Sequence, residues 1–339
     1  MSNQSAKPKI IAITMGDPGG IGPETTLKAL AQKEIQALLR RRKNPLTFVC
    51  IGSADIYAEN KTLVRSKLDF NVIDCLDPKL LKRGVVNILD LKDDASEVRI
   101  GEIALANAAL AYHALEVGAY LAREKIVDAL VTASLNKEAV QLLSPNFTGH
   151  TEYLAQMAGT KKFAMMLTGG PLRVVLVTTH VAINALSEKI TTAKVLEKIE
   201  IADAFLKKQM HIKNPRIGVA SLNPHCGEGG KIGTEEISTI NPAVKRALKK
   251  GINVLGPIPA DIIFHEAYNG NLDAVIAMYH DQGLGPLKML AFHTGVNVTL
   301  NLPFIRTSPD HGTAFDIAYQ NKAHPGSMTE AIKLAVDLM

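Results

Sequence analysis

Short, continuously apolar runs rich in β-branched residues recur along the chain, and most are followed by longer stretches in which apolar residues return every three or four positions. Runs of the first kind suit strands buried on both faces, and stretches of the second kind suit amphipathic helices lying across them. The pattern predicts strands at Ile10–Thr14, Leu46–Ile51, Ala129–Thr132, Phe163–Leu167, Val174–Thr178, Ile217–Leu222, Ala274–Met278 and Val296–Leu300. It predicts helices at Glu24–Arg42, Glu102–Lys125, Thr192–Met210, Glu235–Lys249 and Thr329–Leu338. Strands that alternate with crossover helices define an α/β class. Neither an internal repeat nor a low-complexity linker interrupts the alternation, so any domain boundary follows from topology alone.

The chain has 339 residues, enough for about two lobes and a sizeable core. With 47% hydrophobic and 21% charged residues it has the balance of a compact soluble protein. The least polar long stretch, Ile103 to Ala122, is interrupted by His113 and Glu116 and reads as a buried helix, so no membrane association is expected. Near the N-terminus, the apolar run Ile10–Met15 is shorter than the ~7–15 residues of an export signal, and the expectation is a cytoplasmic protein. Three scattered cysteines, Cys50, Cys75 and Cys226, fit the same reducing compartment. A net charge of +5, no tryptophan and 5% aromatics leave little to grip or stack on bases, so nucleic acid is excluded as a partner.

Chemistry enters with the histidines. His180, His225 and His280 each fall just beyond the end of a predicted buried strand, and open α/β sheets bind ligands at the carboxyl ends of their strands. Singly, each is more readily a loop side chain; together they form a candidate His₃ site for a catalytic divalent metal, zinc first, with Mg²⁺, Mn²⁺ or Co²⁺ as alternatives. Cys226 adjoins His225, but neighbours in an extended chain point in opposite directions, which favours a plain buried thiol. His150 and Thr151, in Phe147-Thr148-Gly149-His150-Thr151-Glu152, stand at a predicted helix N-terminus; the threonines either cap the helix or, with His150, present polar groups to an anion. Asp281, Lys288, Asn297 and Arg306 follow His280 and suit an anionic ester, unless they serve only surface salt bridges. The segment Met15-Gly16-Asp17-Pro18-Gly19-Gly20-Ile21-Gly22-Pro23-Glu24, between first strand and first helix, is either a ligand-approaching loop or a plain turn, and matches neither GxGxxG nor a P-loop.

The motifs MGDPGGIGPE, TGHTE, NPHCGEGG, MYHDQG and NVTLNLPFIRTSPDHGTAFDIA, in this order over nearly the whole length, resemble the 4-hydroxythreonine-4-phosphate dehydrogenase (PdxA) family of vitamin B6 biosynthesis. The resemblance implies an isocitrate-dehydrogenase-like fold of two lobes with a cleft, lobe one being 1–140 with 301–339 and lobe two 141–300. It implies a homodimer whose active sites are shared between subunits. It places metal ligands at His180, His225 and His280, and substrate contacts at His150, Thr151, Lys288, Asn297 and Arg306. The catalytic candidates, read from chemistry beside that set, are Lys288, an amine near a cation, and Asp281, next to a predicted ligand. The implied reaction is NAD- and metal-dependent oxidation of a four-carbon acid phosphate, 4-phosphooxy-L-threonine, followed by decarboxylation in pyridoxal 5′-phosphate biosynthesis. A paralogue acting on D-threonate or D-erythronate 4-phosphate is the alternative.

The segment Asp310-His311-Gly312-Thr313-Ala314-Phe315-Asp316-Ile317-Ala318 looks like the adenosine-binding loop of the β-decarboxylating dehydrogenases, which makes His311 and Asp316 the cofactor-binding candidates. An acid at Asp316 would accept from ribose hydroxyls and repel a 2′-phosphate, favouring NAD over NADP; a helix cap is its plainer reading. Gly19 and Asn301 depart from the family pattern, where many relatives carry alanine and glycine.

Overall fold

The computed structural model describes residues 8–41 and 45–339. Its strands are β1 (Lys9–Thr14), β2 (Leu46–Gly52), β3 (Phe70–Ile73), β4 (Val86–Asp90), β5 (Ala129–Thr132), β6 (Ala164–Gly169), β7 (Leu172–Leu176), β8 (Ile217–Ala220), β9 (Val254–Ile258), β10 (Ala274–Ala277), β11 (Val296–Leu300) and β12 (Ile305–Pro309). The α/β class expected from the apolar runs is the class observed.

Two compact units divide the chain. One runs to Gly159 and resumes over Leu302–Met339; the other is Thr160–Asn301. The expected junction at 140 falls inside the helix Lys137–Leu143, and the helix His150–Met157 belongs with the first unit. In the first unit the strand order is β3-β4-β2-β1-β5-β12, all parallel. In the second it is β11-β6-β7-β10-β8-β9, with β6 antiparallel to both neighbours and the rest parallel. Hence β1, β5 and β12 end side by side in the first unit, and β7, β10 and β8 do so in the second.

The apolar runs are buried for the reason that made them legible. Every residue of β2 is buried, and the alanine-rich helix Leu105–Arg123 packs on β1, β2 and β5 through Ala108, Leu115 and their neighbours. Within the second unit Leu172, Val174, Leu176, Val275 and Ala277 join Ile263 and Leu287 in a separate core.

Several elements depart from the sequence pattern. The long helix expected over Glu24–Arg42 is two helices, Gly22–Leu30 and Lys33–Leu39, because Gln32 takes an extended ψ of 143° and the Gln36 side chain donates back to Leu30 O at 2.7 Å. Arg42 lies outside the described residues. The helix expected from Glu235 begins with a π-turn, Glu236–Ile240, before Asn241–Lys249; Pro242 has no N–H to close an ordinary turn onto Ser238. Four strands carried no readable run. β3 is a short edge strand, β4 carries a buried asparagine, β9 contains Gly256-Pro257 at an edge, and β12 buries Arg306, Thr307 and Ser308, with Thr307 Oγ1 donating to Ala331 O at 2.8 Å. Asn301 adopts φ 66°, in the left-handed region that asparagine tolerates, and its amide donates to Lys162 O at 2.6 Å.

Candidate active site

In the first unit, candidate residues collect beyond the ends of β1, β5 and β12. Arg306 lies on β12 and is 3% exposed. Its Nη2 and Nε donate to Thr132 Oγ1, the last residue of neighbouring β5, at 2.7 and 3.2 Å. Burial pulls its pKa down to about 10 against the favourable charge of Glu152. His150 is the first residue of the helix His150–Met157, entered through Gly149 at φ 140°. Burial, then the Arg306 guanidinium, holds His150 down at about 3, so its imidazole is neutral at pH 7 and can donate one hydrogen bond and accept another. Thr151 is buried beside it, and no side chain caps this helix, so the capping reading of the threonines does not hold.

The loop of His311 and Asp316 is laced to two others. Gly312 O accepts from Ser134 Oγ at 2.9 Å, Thr313 O accepts from Ile21 N at 3.0 Å, and Ser134 O accepts from Asp17 N at 2.9 Å. Gly20 is pressed against Thr313: a Cβ there would lie 2.7 Å from its carbonyl oxygen. Lys28 Nζ donates to the carbonyls of Asn321 and Ala323 at 3.0 and 2.9 Å and to Glu24 Oε1 at 2.7 Å, while Ala323 N donates to Glu24 Oε1 at 2.8 Å. The MGDPGGIGPE segment thus braces the candidate cofactor loop. His311 is half-buried and Asp316 exposed on a short turn, Phe315–Ile317, whose amides it does not cap. Asp17 is buried; its Oδ1 accepts from Gly19 N at 2.9 Å, and burial pushes its carboxyl up to about 6.

Within the second unit, His180 follows β7, and His280 is the first residue of the helix His280–Ala291 directly after β10, rather than a loop residue. Their rings lie 5.8 Å apart between centroids at 38°. Asp281 Oδ1 sits 2.6 Å from His280 Nδ1, which leaves Nε2 as the ring nitrogen for a ligand. His225 is separate. It opens a turn in which six consecutive residues, His225 to Gly230, have positive φ, and its exposed ring meets Glu228 Oε1 at 3.2 Å. Among the described residues no three His, Cys, Asp or Glu side chains are gathered as metal ligands. Two imidazoles at this spacing suit a borderline divalent cation in donor chemistry, and the third histidine of the predicted set stands apart from them. Cys226 is in the left-handed turn, not in extended chain; it is half-buried, with Sγ 3.5 Å from Pro257 O, and burial raises its pKa.

Lys288 is half-buried on the helix begun by His280, with Nζ 5.7 Å from the ring centre of Phe292; Asn297 lies on β11 opposite Leu167. Two positioning groups had no sequence signal. Thr132 orients Arg306, and the buried carboxylate of Glu236 accepts from the amides of Leu222 and Asn223 at 2.8 and 2.7 Å, fixing the chain that leads to His225. Both act across elements remote in sequence, where no local pattern records them.

Residues 44–335 match the family described as pyridoxal phosphate biosynthetic protein PdxA. A D-threonate 4-phosphate dehydrogenase of Salmonella typhimurium is 42% identical over 97% of this chain and 99% of its own length. A 4-hydroxythreonine-4-phosphate dehydrogenase of Geobacter metallireducens is also 42% identical, over 98% of this chain and 96% of its own. The crystal structure of 4-hydroxythreonine-4-phosphate dehydrogenase from Klebsiella pneumoniae superposes with a TM-score of 0.86 at 40% identity, covering 99% of each chain.

Proposed function

The chain belongs to the family of the pyridoxal phosphate biosynthetic protein PdxA, and we propose that it oxidises the 3-hydroxyl of 4-phosphooxy-L-threonine, using NAD and a divalent cation, zinc first. The 3-oxo acid so formed loses its carboxylate to give 3-amino-2-oxopropyl phosphate. The observation that carries this reading is the His180–His280 pair beyond the ends of adjacent strands, 5.8 Å apart. His180, His280 and, brought to them, His225 would hold the cation.

When bound, the cation lowers the pKa of the alcohol and steadies the charge left by decarboxylation, and NAD accepts the hydride. Arg306, kept out of water, presents a fork suited to carboxylate or phosphate oxygens. His150, neutral at pH 7, adds a hydrogen bond there without adding charge, and Thr151 and Asn297 complete the substrate contacts. Asp281 orients His280. Overall the alcohol gives up a hydride from carbon and a proton from oxygen, the proton being assigned to Lys288. The bond to the carboxylate then breaks with its electron pair left on the neighbouring carbon, and a proton returned to that carbon completes the product.

His311 and Asp316 are assigned to the adenosine half of NAD. An exposed carboxylate at Asp316 suits ribose hydroxyls and opposes a 2′-phosphate. The proposal includes a cytoplasmic homodimer with shared sites. The three free cysteines suit a reducing compartment, and no helix among the described residues is long and apolar enough to cross a membrane.

A second reading, oxidation of D-threonate 4-phosphate, is favoured by the relative of that name at the same identity as the 4-hydroxythreonine-4-phosphate dehydrogenase. Following reduced nicotinamide with 4-phosphooxy-L-threonine, D-threonate 4-phosphate and D-erythronate 4-phosphate, each with Zn²⁺, Mg²⁺, Mn²⁺, Co²⁺ or chelator, separates the two. The first reading requires the highest kcat/KM for the amino substrate and its loss with chelator; a higher value for D-threonate 4-phosphate installs the second.

A further inference from the structure

The sheet ladder of the second unit stops before the histidines begin. The last paired residues are Ala277 with Leu176 between β10 and β7, and Ile276 with Val219 between β10 and β8. Twisted strands diverge past such a point, so the chains from β10 and β8 that lead to His280 and His225 need a further link to fix their spacing. Between β7 and β10 the backbone itself runs on, Val177 N donating to Ala277 O at 2.9 Å. Thr178, two residues before His180, donates to Met278 O through its N at 3.2 Å and its Oγ1 at 2.8 Å. Met278, two residues before His280, donates its own N–H to Gln282 Oε1 at 2.7 Å. The same amide of Gln282 donates from Nε2 to Ser221 O at 2.6 Å, in the chain that leads to His225. Ser221 is held in turn, its N bonded to Ile258 O at 2.8 Å and its Oγ to Asn223 O at 2.9 Å.

We infer that Gln282 is a positioning residue for divalent-cation binding: its buried amide bridges Met278 and Ser221 and so sets the distance between the strand ends that carry His280 and His225. The inference rests on the reading of these histidines as cation ligands. An amide is the side chain the place requires, since one end must accept and the other donate, and both partners are backbone groups buried with it. Glutamate has the same shape but sets a second acceptor against Ser221 O. Methionine fills the volume yet leaves the Met278 N–H and the Ser221 carbonyl without their partner.

Affinity for Zn²⁺ is measured by competition with a chromophoric chelator on wild type, Gln282→Glu, Gln282→Met and His280→Ala, together with circular dichroism of the metal-free proteins and the visible spectrum of the Co²⁺ forms. Removal of a group that orients ligands costs on the order of 10–100-fold in metal affinity. That loss is expected in both Gln282 variants, with an altered Co²⁺ spectrum, unchanged metal-free dichroism and an unchanged KM for NAD. Should Gln282→Met fail to fold, the isosteric Gln282→Glu carries the test. Wild-type affinity in a folded Gln282 variant, beside a loss in His280→Ala, overturns the positioning role alone. Wild-type affinity in His280→Ala overturns the ligand reading and the inference with it.

Discussion

Arg306 and Asp17 are both ionisable groups kept from water, and their surroundings answer that burial differently. Arg306 keeps its charge: even at about 10 its pKa leaves it protonated at pH 7, and Thr132 holds the guanidinium in one orientation. Charge alone is then not the whole of its use, because lysine cannot offer the same two-pronged contact. Arg306→Lys should lower kcat/KM for the acid phosphate by ~10–100-fold and Arg306→Ala by more, with the KM for NAD nearly constant. Steady-state kinetics with each substrate varied in turn checks this, and equal losses on both sides would point to a structural role. Asp17 behaves in the opposite sense. Its folded pKa of about 6 lies above the unfolded value of 3.8, so between these the native state binds more protons and stability falls as pH rises. His150, down at about 3 against an ordinary 6.5, works the other way: the unfolded chain takes up the proton first, and stability falls as pH drops from 6.5 toward 3. Asp17→Asn removes only the first contribution. Its stability relative to wild type should therefore improve by about 2 kcal/mol between pH 4 and pH 8. Denaturant unfolding at pH 4, 6 and 8 measures it; a difference independent of pH would mean that Asp17 is ionised throughout.

At the scale of elements, what could be read from the sequence was whatever a single run of chain records. β5 and β11 coincide with the predicted runs Ala129–Thr132 and Val296–Leu300, because strands inside a parallel or mixed sheet are apolar on both faces and end where polarity returns. The histidine positions were legible for the same reason, each falling just past the end of such a run. The turn that holds His225 was not. Six residues of positive φ in succession, three of them not glycine, are held by Glu236 and by the close approach of Gly227 to Gly233 O, and these are contacts between segments. β12 was hidden likewise, its polar residues being paid for by bonds to Thr132 and Ala331. The bracing of the cofactor loop is also a relation between segments, and it makes a prediction of its own. In Gly20→Ala the added methyl would meet Thr313 O, which belongs to backbone and must itself shift. The KM for NAD should rise about tenfold, as a displaced hydrogen-bonding group of ~1.4 kcal/mol would produce, with bound metal unchanged. Asp316→Ala should raise the same constant and narrow the gap to NADP, whereas Gly20→Ala should weaken both dinucleotides alike. A Gly20→Ala enzyme with wild-type NAD kinetics would place the dinucleotide elsewhere.

At the scale of the whole molecule, the second unit leaves large apolar side chains in water along the helix that His280 begins and just beyond it. Met289 is 87% exposed and Phe292 66%, and Ile183, three residues past His180, is 78% exposed. Single exposed apolar residues are common, but these three belong to the segments that also carry His180, His280 and Lys288. The proposed homodimer gives them a cover, and it makes assembly and chemistry depend on one helix. Lys288 Nζ lies over the ring of Phe292, so a partner packed on Phe292 would also restrain that amine. Met289→Glu and Ile183→Glu should shift the protein toward monomer, and activity should fall in parallel and return at high protein concentration. Phe292→Glu should lose activity beyond what dissociation explains, because it removes the ring beneath Lys288 as well. Leu142→Glu, at a side chain 61% exposed on the first unit, is the control and should change neither property. Sedimentation velocity over a range of concentrations, read beside the rate per chain, decides between the alternatives. A wild-type protein that is monomeric and fully active at every concentration would mean that each chain completes its site alone, and that these residues face only solvent.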